Sequence, residues 1–308
     1  MILCCGEALI DMIPAATVDG VDAFVPRPGG GAFNTAIALG RLGVPVGLLS
    51  GLSGDMFGAQ LRAELKRSAV SPIYAIGSDR PTTLAFVRLV EGQAAYAFFD
   101  ENTAGRMIAP SDVPTLGPEV EVLCFGGISL AAEPGADTYL HLAAREAGGK
   151  LVKLDPNIRP GLIPDPKRYR ARLERMLRLA DIVRLSDVDL AWLIGGEATE
   201  EAVRAFAQTQ NCLVIVTRGG QGATAVLRSG AVLDVPAVPV QVADTVGAGD
   251  AFGAGVLAAL REQGCLTKTG VRDVTPDQAR AALAFAARVA AATVTRPGAD
   301  PPFRRELG

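Results

Sequence analysis

Seven consecutive residues, Asp244-Thr245-Val246-Gly247-Ala248-Gly249-Asp250, place two glycines and an acid just ahead of an Ala/Gly/Leu stretch, Ala251–Gln263, with helical patterning. Glycines let successive backbone N–H groups converge on one point, and a helix starting there adds its positive end. The string therefore describes a site for an anion such as a phosphate. An acid in the same turn repels that anion, so Asp250 makes sense as a proton acceptor beside developing negative charge. Phosphoryl transfer to a hydroxyl needs this layout. Taken alone, Asp250 is equally a first-turn acid that offsets the helix dipole by roughly 0.3–1 kcal/mol.

Other residues with chemical potential fall at comparable punctuation points. Gly29-Gly30-Gly31 lets a ligand approach the backbone closely, and Asn34 falls in the first turn of the helix that follows. Its amide both donates to and accepts from a sugar hydroxyl, or else caps that helix. Asp11 lies just beyond the first strand, where open α/β sheets bind ligands and a carboxylate accepts two hydroxyls; a strand-end cap is the alternative. In Asp155-Pro156-Asn157-Ile158-Arg159-Pro160 two prolines fix the backbone and aim Asn157 and Arg159 from the sheet edge. Arg159 then meets a transferring phosphate or a substrate carboxylate, or staples its own loop. The run Ala97–Arg106 offers Phe98 as a cover over a sugar and Arg106 as a partner for its hydroxyls, against core aromatics and a solvated Arg. Ser186 and Asp189 supply a hydroxyl and a carboxylate that equally form a helix N-cap. Thr217, Gly219 and Gly222 belong to a glycine loop after another strand.

Positioning these groups requires an alternating scaffold. Apolar strand-like runs occur at Ile2–Cys5, Val46–Ser50, Val122–Phe125, Leu151–Leu154, Ile182–Arg184, Leu213–Thr217, Ala223–Leu227 and Val238–Val242. Helical patterns occupy Ala32–Leu42, Met56–Ser68, Ala136–Ala147, Pro166–Leu179, Glu200–Thr209, Ala251–Gln263 and Pro276–Thr293, the last with Thr275 as N-cap. This order predicts an α/β domain with a mostly parallel central sheet and helices on both faces. Thr82–Val90 and Ala94–Asp100, joined by Glu91-Gly92-Gln93, read as a β-hairpin. With the extended segment from Met12 to Arg27 it predicts a small antiparallel lid, formed by segments at about 12–28 and 82–106, within a single domain over 1–308. Such a lid excludes water from a site, and ordinary edge hairpins are the alternative.

The composition narrows the partners. The 308 residues are 49% apolar and 20% charged, enough for a large core and too little charge for a disordered chain. A net charge of −3 argues against nucleic-acid binding and leaves small molecules. Cys4, Cys5, Cys124, Cys212 and Cys265 lack Cys-x-x-Cys spacing and sit mostly in apolar runs, as buried thiols of a cytosolic protein do. The start carries Glu7 and Asp11 without a basic region, and Ala279–Val294 is short and broken by Arg280 and Arg288. A soluble cytoplasmic protein with no membrane partner is expected.

The string Asp244–Asp250 followed by Ala251-Phe252 resembles the C-terminal motif of the ribokinase-like (PfkB) carbohydrate kinases, and Gly29–Ala36 through Gly40 and Gly43 resembles their N-terminal motif. The resemblance covers essentially the whole chain and is greatest to bacterial fructokinases, which carry a similar Asp-Pro-Asn-x-Arg, a run ending in Thr-Ala-Asp-Arg and a Ser-x-x-Asp version of the family's Asn-x-x-Glu. It implies ATP and Mg²⁺ as cofactors, with Asp250 as base and the Gly247, Ala248 and Gly249 amides as anion hole. It also implies Arg159 as charge stabiliser, a sugar held by Asp11, Gly30, Gly31, Asn34, Phe98, Arg106 and Asn157, and a nucleotide beside Ser186, Thr217, Gly219 and Gly222. Asp189 would reach the metal through water. Gly105 stands where the family has Asp, and Gly31 or Ala32 where ribokinases and phosphofructokinases carry Lys, which argues against a phosphorylated acceptor. Fructose is the expected acceptor, with 2-keto-3-deoxygluconate the rival and ribose or nucleosides behind it; a sugar-binding regulator without catalysis is the non-enzymatic alternative. A monovalent cation such as K⁺ is common in the family, but nothing in the sequence identifies its ligands. A homodimer through the lid is left open.

Overall fold

A computed structural model describes residues 1–90 and 93–308. In chain order its elements begin with β1 (Ile2–Cys5), β2 (Leu9–Ala16), β3 (Asp22–Gly29), α1 (Gly31–Arg41), β4 (Val46–Leu49), β5 (Gly51–Ser53), α2 (Met56–Arg67) and β6 (Ile76–Ser78). There follow β7 (Leu84–Val90), β8 (Gln93–Phe99), β9 (Val122–Gly126), α3 (Gly135–Glu146), β10 (Leu151–Asp155), α4 (Pro166–Leu179), β11 (Ile182–Ser186), α5 (Asp187–Ile194) and α6 (Glu200–Thr209). The last are β12 (Leu213–Thr217), β13 (Ala223–Val226), β14 (Val232–Val235), α7 (Ala248–Glu262), α8 (Lys268–Arg272) and α9 (Pro276–Val294).

The main sheet runs β14-β13-β12-β11-β10-β9-β1-β4 and is parallel from β12 to β4, with β13 and β14 antiparallel at one edge. Its strands are apolar on both faces because both faces are covered. In β1, Ile2 and Cys4 join the core built with α1, α7 and α9, while Leu3 and Cys5 turn to the core built with α3 and α4. All five cysteines are buried free thiols, and no helix among the described residues is long and apolar enough to cross a membrane. Helix ends follow local chemistry: the Thr275 hydroxyl accepts from the Gln278 N–H, and Gln278 returns the contact, so α9 begins where its capping box dictates.

The segments expected to form a lid make a second sheet of order β3-β2-β7-β8. Both of its hairpins are antiparallel, as expected, but they join through β2 and β7, which run the same way and pair in parallel. The Glu91-Gly92 tip of the predicted turn lies outside the described residues. One lid face stacks Phe24, Phe86 and Phe99 edge to face, at 5.0 and 5.3 Å between centroids, with Phe24 and Phe99 exposed. Strand alternation turns Phe98 to the opposite face.

Two differences from the sequence-based expectation matter for the site. Val238–Val242 is not a strand. Pro236 and Pro239 remove ladder donors from that stretch, so the edge position goes to β14, and the valines stay exposed in an extended loop. α7 starts at Ala248, three residues before the expected Ala251, which places Asp250 inside its first turn.

Candidate active site

The turn before α7 is held from below. The Asp244 carboxylate accepts from the N–H of Val246 at 3.0 Å and of Gly298 at 2.8 Å, tying the turn to the Arg296-Pro297-Gly298-Ala299 loop. Gly247 caps the helix with φ 75°, a left-handed conformation that glycine adopts without strain, and a Cβ there would come within 2.7 Å of the Ala299 methyl. Gly249 allows a different close approach: a Cβ on it would lie 2.5 Å from Nη1 of Arg184. The Ala248 N–H bonds back to the Thr245 carbonyl at 3.3 Å. Gly247 and Gly249 line the cavity that holds Asp250, and Ala248 and Gly249 line the adjoining one, so the three residues expected to form the anion hole sit where two cavities meet.

Asp250 accepts a hydrogen bond from the Asn34 side-chain amide at 3.0 Å, so the two glycine motifs meet at one atom pair. Asn34 thus orients the acid and also lines the cavity above it, where its amide was expected to meet a sugar. Burial, then the neighbouring Asp155 charge, push the Asp250 carboxyl up to about 7; the Asn34 hydrogen bond and the Lys153 and Arg184 charges oppose this. A carboxyl poised there exchanges protons near neutral pH.

Asp155, Lys153 and Arg184 form a buried charged cluster behind it. Lys153 Nζ lies 3.0 Å from Asp155 Oδ2, and Arg184 Nη1 lies 3.4 Å from each Asp155 oxygen. Burial works against the Asp155 carboxylate, but Lys153 and Arg184 hold it below the ordinary carboxylate range. The sequence reading missed Lys153 and Arg184 as functional candidates. Their signal was present: each is a lone cation inside an otherwise apolar parallel strand, Leu-Val-Lys-Leu and Ile-Val-Arg-Leu, where an unpaired charge is costly.

Above Asp250 opens a cavity of about 420 Å³ lined by Glu7, Asp11, Gly30, Gly31, Asn34, Phe98, Asn157 and Arg159, with Ser186 and Asp189 at its far side. The Glu7 carboxylate accepts from the Gly31 N–H at 2.8 Å and from the N–H and hydroxyl of Ser129, which fixes the glycine loop as the floor. A Cβ on Gly31 would sit 3.5 Å from both Asn157 Nδ2 and Asp250 Oδ1, so a side chain there would fill the floor beside the acid. Burial, then the Glu7 charge, raise the Asp11 carboxyl to about 6. Asn157 adopts φ 44°, and Arg159 folds one guanidinium N–H onto the Ile158 carbonyl at 3.1 Å at the cavity rim.

Two expected site residues are not placed as anticipated. Arg106 does not line this cavity; its Nε donates to the Glu133 carbonyl at 2.8 Å and its guanidinium lies 3.9 Å from Asp100. Asp189 is 3% exposed, and its oxygens accept from the Ile158 N–H, the Ser186 N–H and the Ser186 hydroxyl. It is half of a capping box for α5, with Ser186 returning the bond at 3.0 Å, so its oxygens hold the start of that helix and the Ile158 loop together. Among the described residues no cluster of three His, Cys, Asp or Glu stands ready to hold a metal ion.

A second cavity of about 470 Å³ adjoins the first and shares Arg184, Ser186, Thr245 and Gly249 with it. Thr217, Gly219, Gly220 and Gly222 form one wall, and Ala287, Ala290, Ala291 and Val294 of α9 form another. The misassigned Val238, Val240 and Val242 close the apolar side. The result is a largely apolar slot with glycine backbone on one wall, of a kind that takes a heteroaromatic base, with the guanidinium of Arg184 in its lining.

Comparison with known proteins agrees with this arrangement. The pfkB family carbohydrate kinases match residues 1–305. A fructokinase of Rhizobium leguminosarum bv. trifolii is 49% identical over 272 residues, covering 88% of this chain and 83% of that one. The solved fructokinase from Xylella fastidiosa with bound ATP superposes with a TM-score of 0.88 at 30% identity, covering 99% and 97% of the two chains. That from Vibrio cholerae O395, with fructose, ADP and calcium bound, gives 0.83 at 27% identity over 97% and 94%. With its two glycine motifs converging on Asp250 and a family match from end to end, this chain belongs to the pfkB family of carbohydrate kinases.

Proposed function

We propose that this chain is an ATP-dependent fructokinase, transferring the γ-phosphoryl group of ATP to a primary hydroxyl of fructose to give fructose 6-phosphate. The observation that carries the reading is the placement of Asp250, at the first turn of α7 where the two cavities meet. The polar cavity takes the sugar and the apolar slot takes the adenine. Asp250 removes the hydroxyl proton as the oxygen forms its bond to the γ-phosphorus; the bond from that phosphorus to the β,γ-bridging oxygen breaks, and ADP leaves with the electron pair. Asn34 holds the acid in line through its 3.0 Å hydrogen bond. The Gly247 and Gly249 amides and the N-terminal end of α7 face the developing charge.

Magnesium fits as a companion of the nucleotide. The described residues lack an acidic cage, and Mg²⁺ commonly keeps its waters and binds substrate phosphates. When bound it supplies neutralisation of the phosphate charge. Asp11, which lines the cavity with Asn157 and Phe98, receives sugar hydroxyls. Glu7, Asp11 and Asp250 line the acceptor cavity with Arg159 and Arg184 as its cations, and this surplus of carboxyls favours a neutral sugar over an acidic one. Gly31 agrees with this, since no cation stands there to meet an acid group.

The test is a coupled ADP-release assay comparing fructose, 2-keto-3-deoxygluconate, ribose and nucleosides. Fructose is expected to give the highest kcat/KM. A higher value on 2-keto-3-deoxygluconate would overturn the choice of acceptor, and no ADP release with any sugar would overturn the activity.

A further inference from the structure

The catalytic loop contains no lysine, and the chain holds no Gly-x-x-x-x-Gly-Lys-Ser/Thr phosphate loop. Something else must meet the phosphate charge. Arg184 is 9% exposed in β11, and three features single it out. It lines both large cavities at their junction, together with Thr245 and Gly249. The absence of a side chain at Gly249 leaves the guanidinium in direct contact with the turn that carries Asp250. Its donors are also under-used. Nη2 donates to the Thr217 hydroxyl at 2.5 Å and Nη1 reaches Asp155 only at 3.4 Å, while the buried Nε has no acceptor. A guanidinium carries five N–H donors, and a buried one left with so few bonds is costly unless a ligand supplies acceptors. Asp155 is shared with Lys153, so it does not fully neutralise Arg184.

We propose that Arg184 is a catalytic residue that binds the polyphosphate where it crosses from the nucleotide slot to the acceptor cavity and stabilises the transferring phosphoryl group. Thr217 and Asp155 hold the guanidinium from behind, and Gly249 opens its front. A cation fixed in this way before the nucleotide arrives needs no reorganisation as charge moves onto the leaving oxygen. This inference rests on the kinase reading above but not on which sugar is the acceptor.

The test uses the full-length enzyme with Arg184→Gln and Arg184→Lys. Calorimetry with ATP and with adenosine separates phosphate contact from slot integrity, without any acceptor present. Arg184→Gln is expected to weaken ATP at least tenfold and leave adenosine unchanged. Turnover is expected to fall about 10²–10³-fold in kcat, the usual loss for one preorganised charge-stabilising donor, with Arg184→Lys restoring part of it. Because Arg184 also faces Asp155 and Asp250, kcat is measured at pH 9 as well, where Asp250 is ionised in wild type and variant alike. A loss that persists there reports the phosphoryl contact, and one that vanishes there makes Arg184 only a tuner of Asp250 and overturns the proposal. Equal weakening of ATP and adenosine, or ATP affinity and kcat within threefold of wild type, overturns it as well. Wild-type failure on fructose would refute the acceptor assignment alone, since the ATP and adenosine measurements stand without it.

Discussion

Replacing Asp250 by Asn removes a charge from a place where burial and Asp155 oppose it, and the effect on stability has a calculable pH dependence. The native carboxyl titrates at about 7, against about 3.9 in an unfolded chain. The native state therefore holds its proton over a window where the unfolded state has lost it. Wild-type stability drops through that window as pH rises from about 4 to about 7, then levels. Asn has no such proton, and its oxygen still accepts from Asn34. The full shift corresponds to about 4 kcal/mol at 1.36 kcal/mol per pH unit. Water in the cavity reaches the half-buried side chain and screens part of this, so a gain on the order of 2 kcal/mol is expected at pH 8. At pH 4.5 the same arithmetic, screened alike, leaves a gain of only about 0.5 kcal/mol. With an unfolding entropy of about 2.1 cal/mol/K per residue, that gain raises Tm by about 3 °C. Differential scanning calorimetry of both proteins at pH 4.5, 6 and 8 reads the divergence directly, and ADP release should drop by about 10²–10⁴ over the same range. A Tm difference that does not vary with pH, or activity within tenfold of wild type, would refute the assignment of Asp250 as a destabilised, functional base.

The wild-type kcat/KM for fructose should rise with pH through a limb near 7, because Asp250 must be ionised to accept a proton; a flat profile between pH 5.5 and 8 would count against this. Asp11→Asn should raise the fructose KM at least tenfold and leave the ATP KM unchanged, and in wild type fructose binding should weaken below about pH 6 as Asp11 protonates; calorimetry with each ligand separates the two. Gly249→Ala brings a methyl within 2.5 Å of Arg184 Nη1 and should lower kcat by about 10²-fold with the sugar affinity unchanged, as steady-state kinetics and fructose titration would show. Thr275→Ala removes the hydroxyl that caps α9 and should cost about 1 kcal/mol, a Tm decrease of about 1.5 °C with full activity.

Much of the frame was legible because its signals are local. Strand β1, helices α4 and α6 and the Thr275 cap follow from apolar periodicity and side-chain capping, which act within a few residues. The two glycine motifs were legible for the same reason. What stayed hidden depends on partners far away in sequence. For Asn34 the sequence offers a sugar ligand or a helix cap, and nothing local reveals that Asp250 lies 3.0 Å from its amide. Asp189 looked available to a metal until the Ile158 N–H, from a separate loop, took up one of its oxygens. Val238–Val242 had the residue types of a strand, but Pro236 and Pro239 withheld the ladder donors. Lys153 and Arg184 escaped notice because a charge in an apolar strand does not name its distant partners, although its burial requires them and so marks the site.

The hydrogen bond from Asn34 to Asp250 joins residues 216 positions apart, and this has a consequence during synthesis. At about 5–20 residues per second a ribosome needs roughly 10–40 s to travel that distance. Throughout that interval the glycine floor, Asp11 and the first lid hairpin already exist as chain, while the acid, the anion-binding turn and the α9 wall of the nucleotide slot do not. A nascent chain is thus unable to split ATP before its final helices are made. The same dependence makes the assembled site a late event, since its closing contact spans most of the sequence. Phosphotransfer competence is therefore expected to wait until α7 and α9 are made, and a truncation that removes either helix is expected to abolish kinase activity.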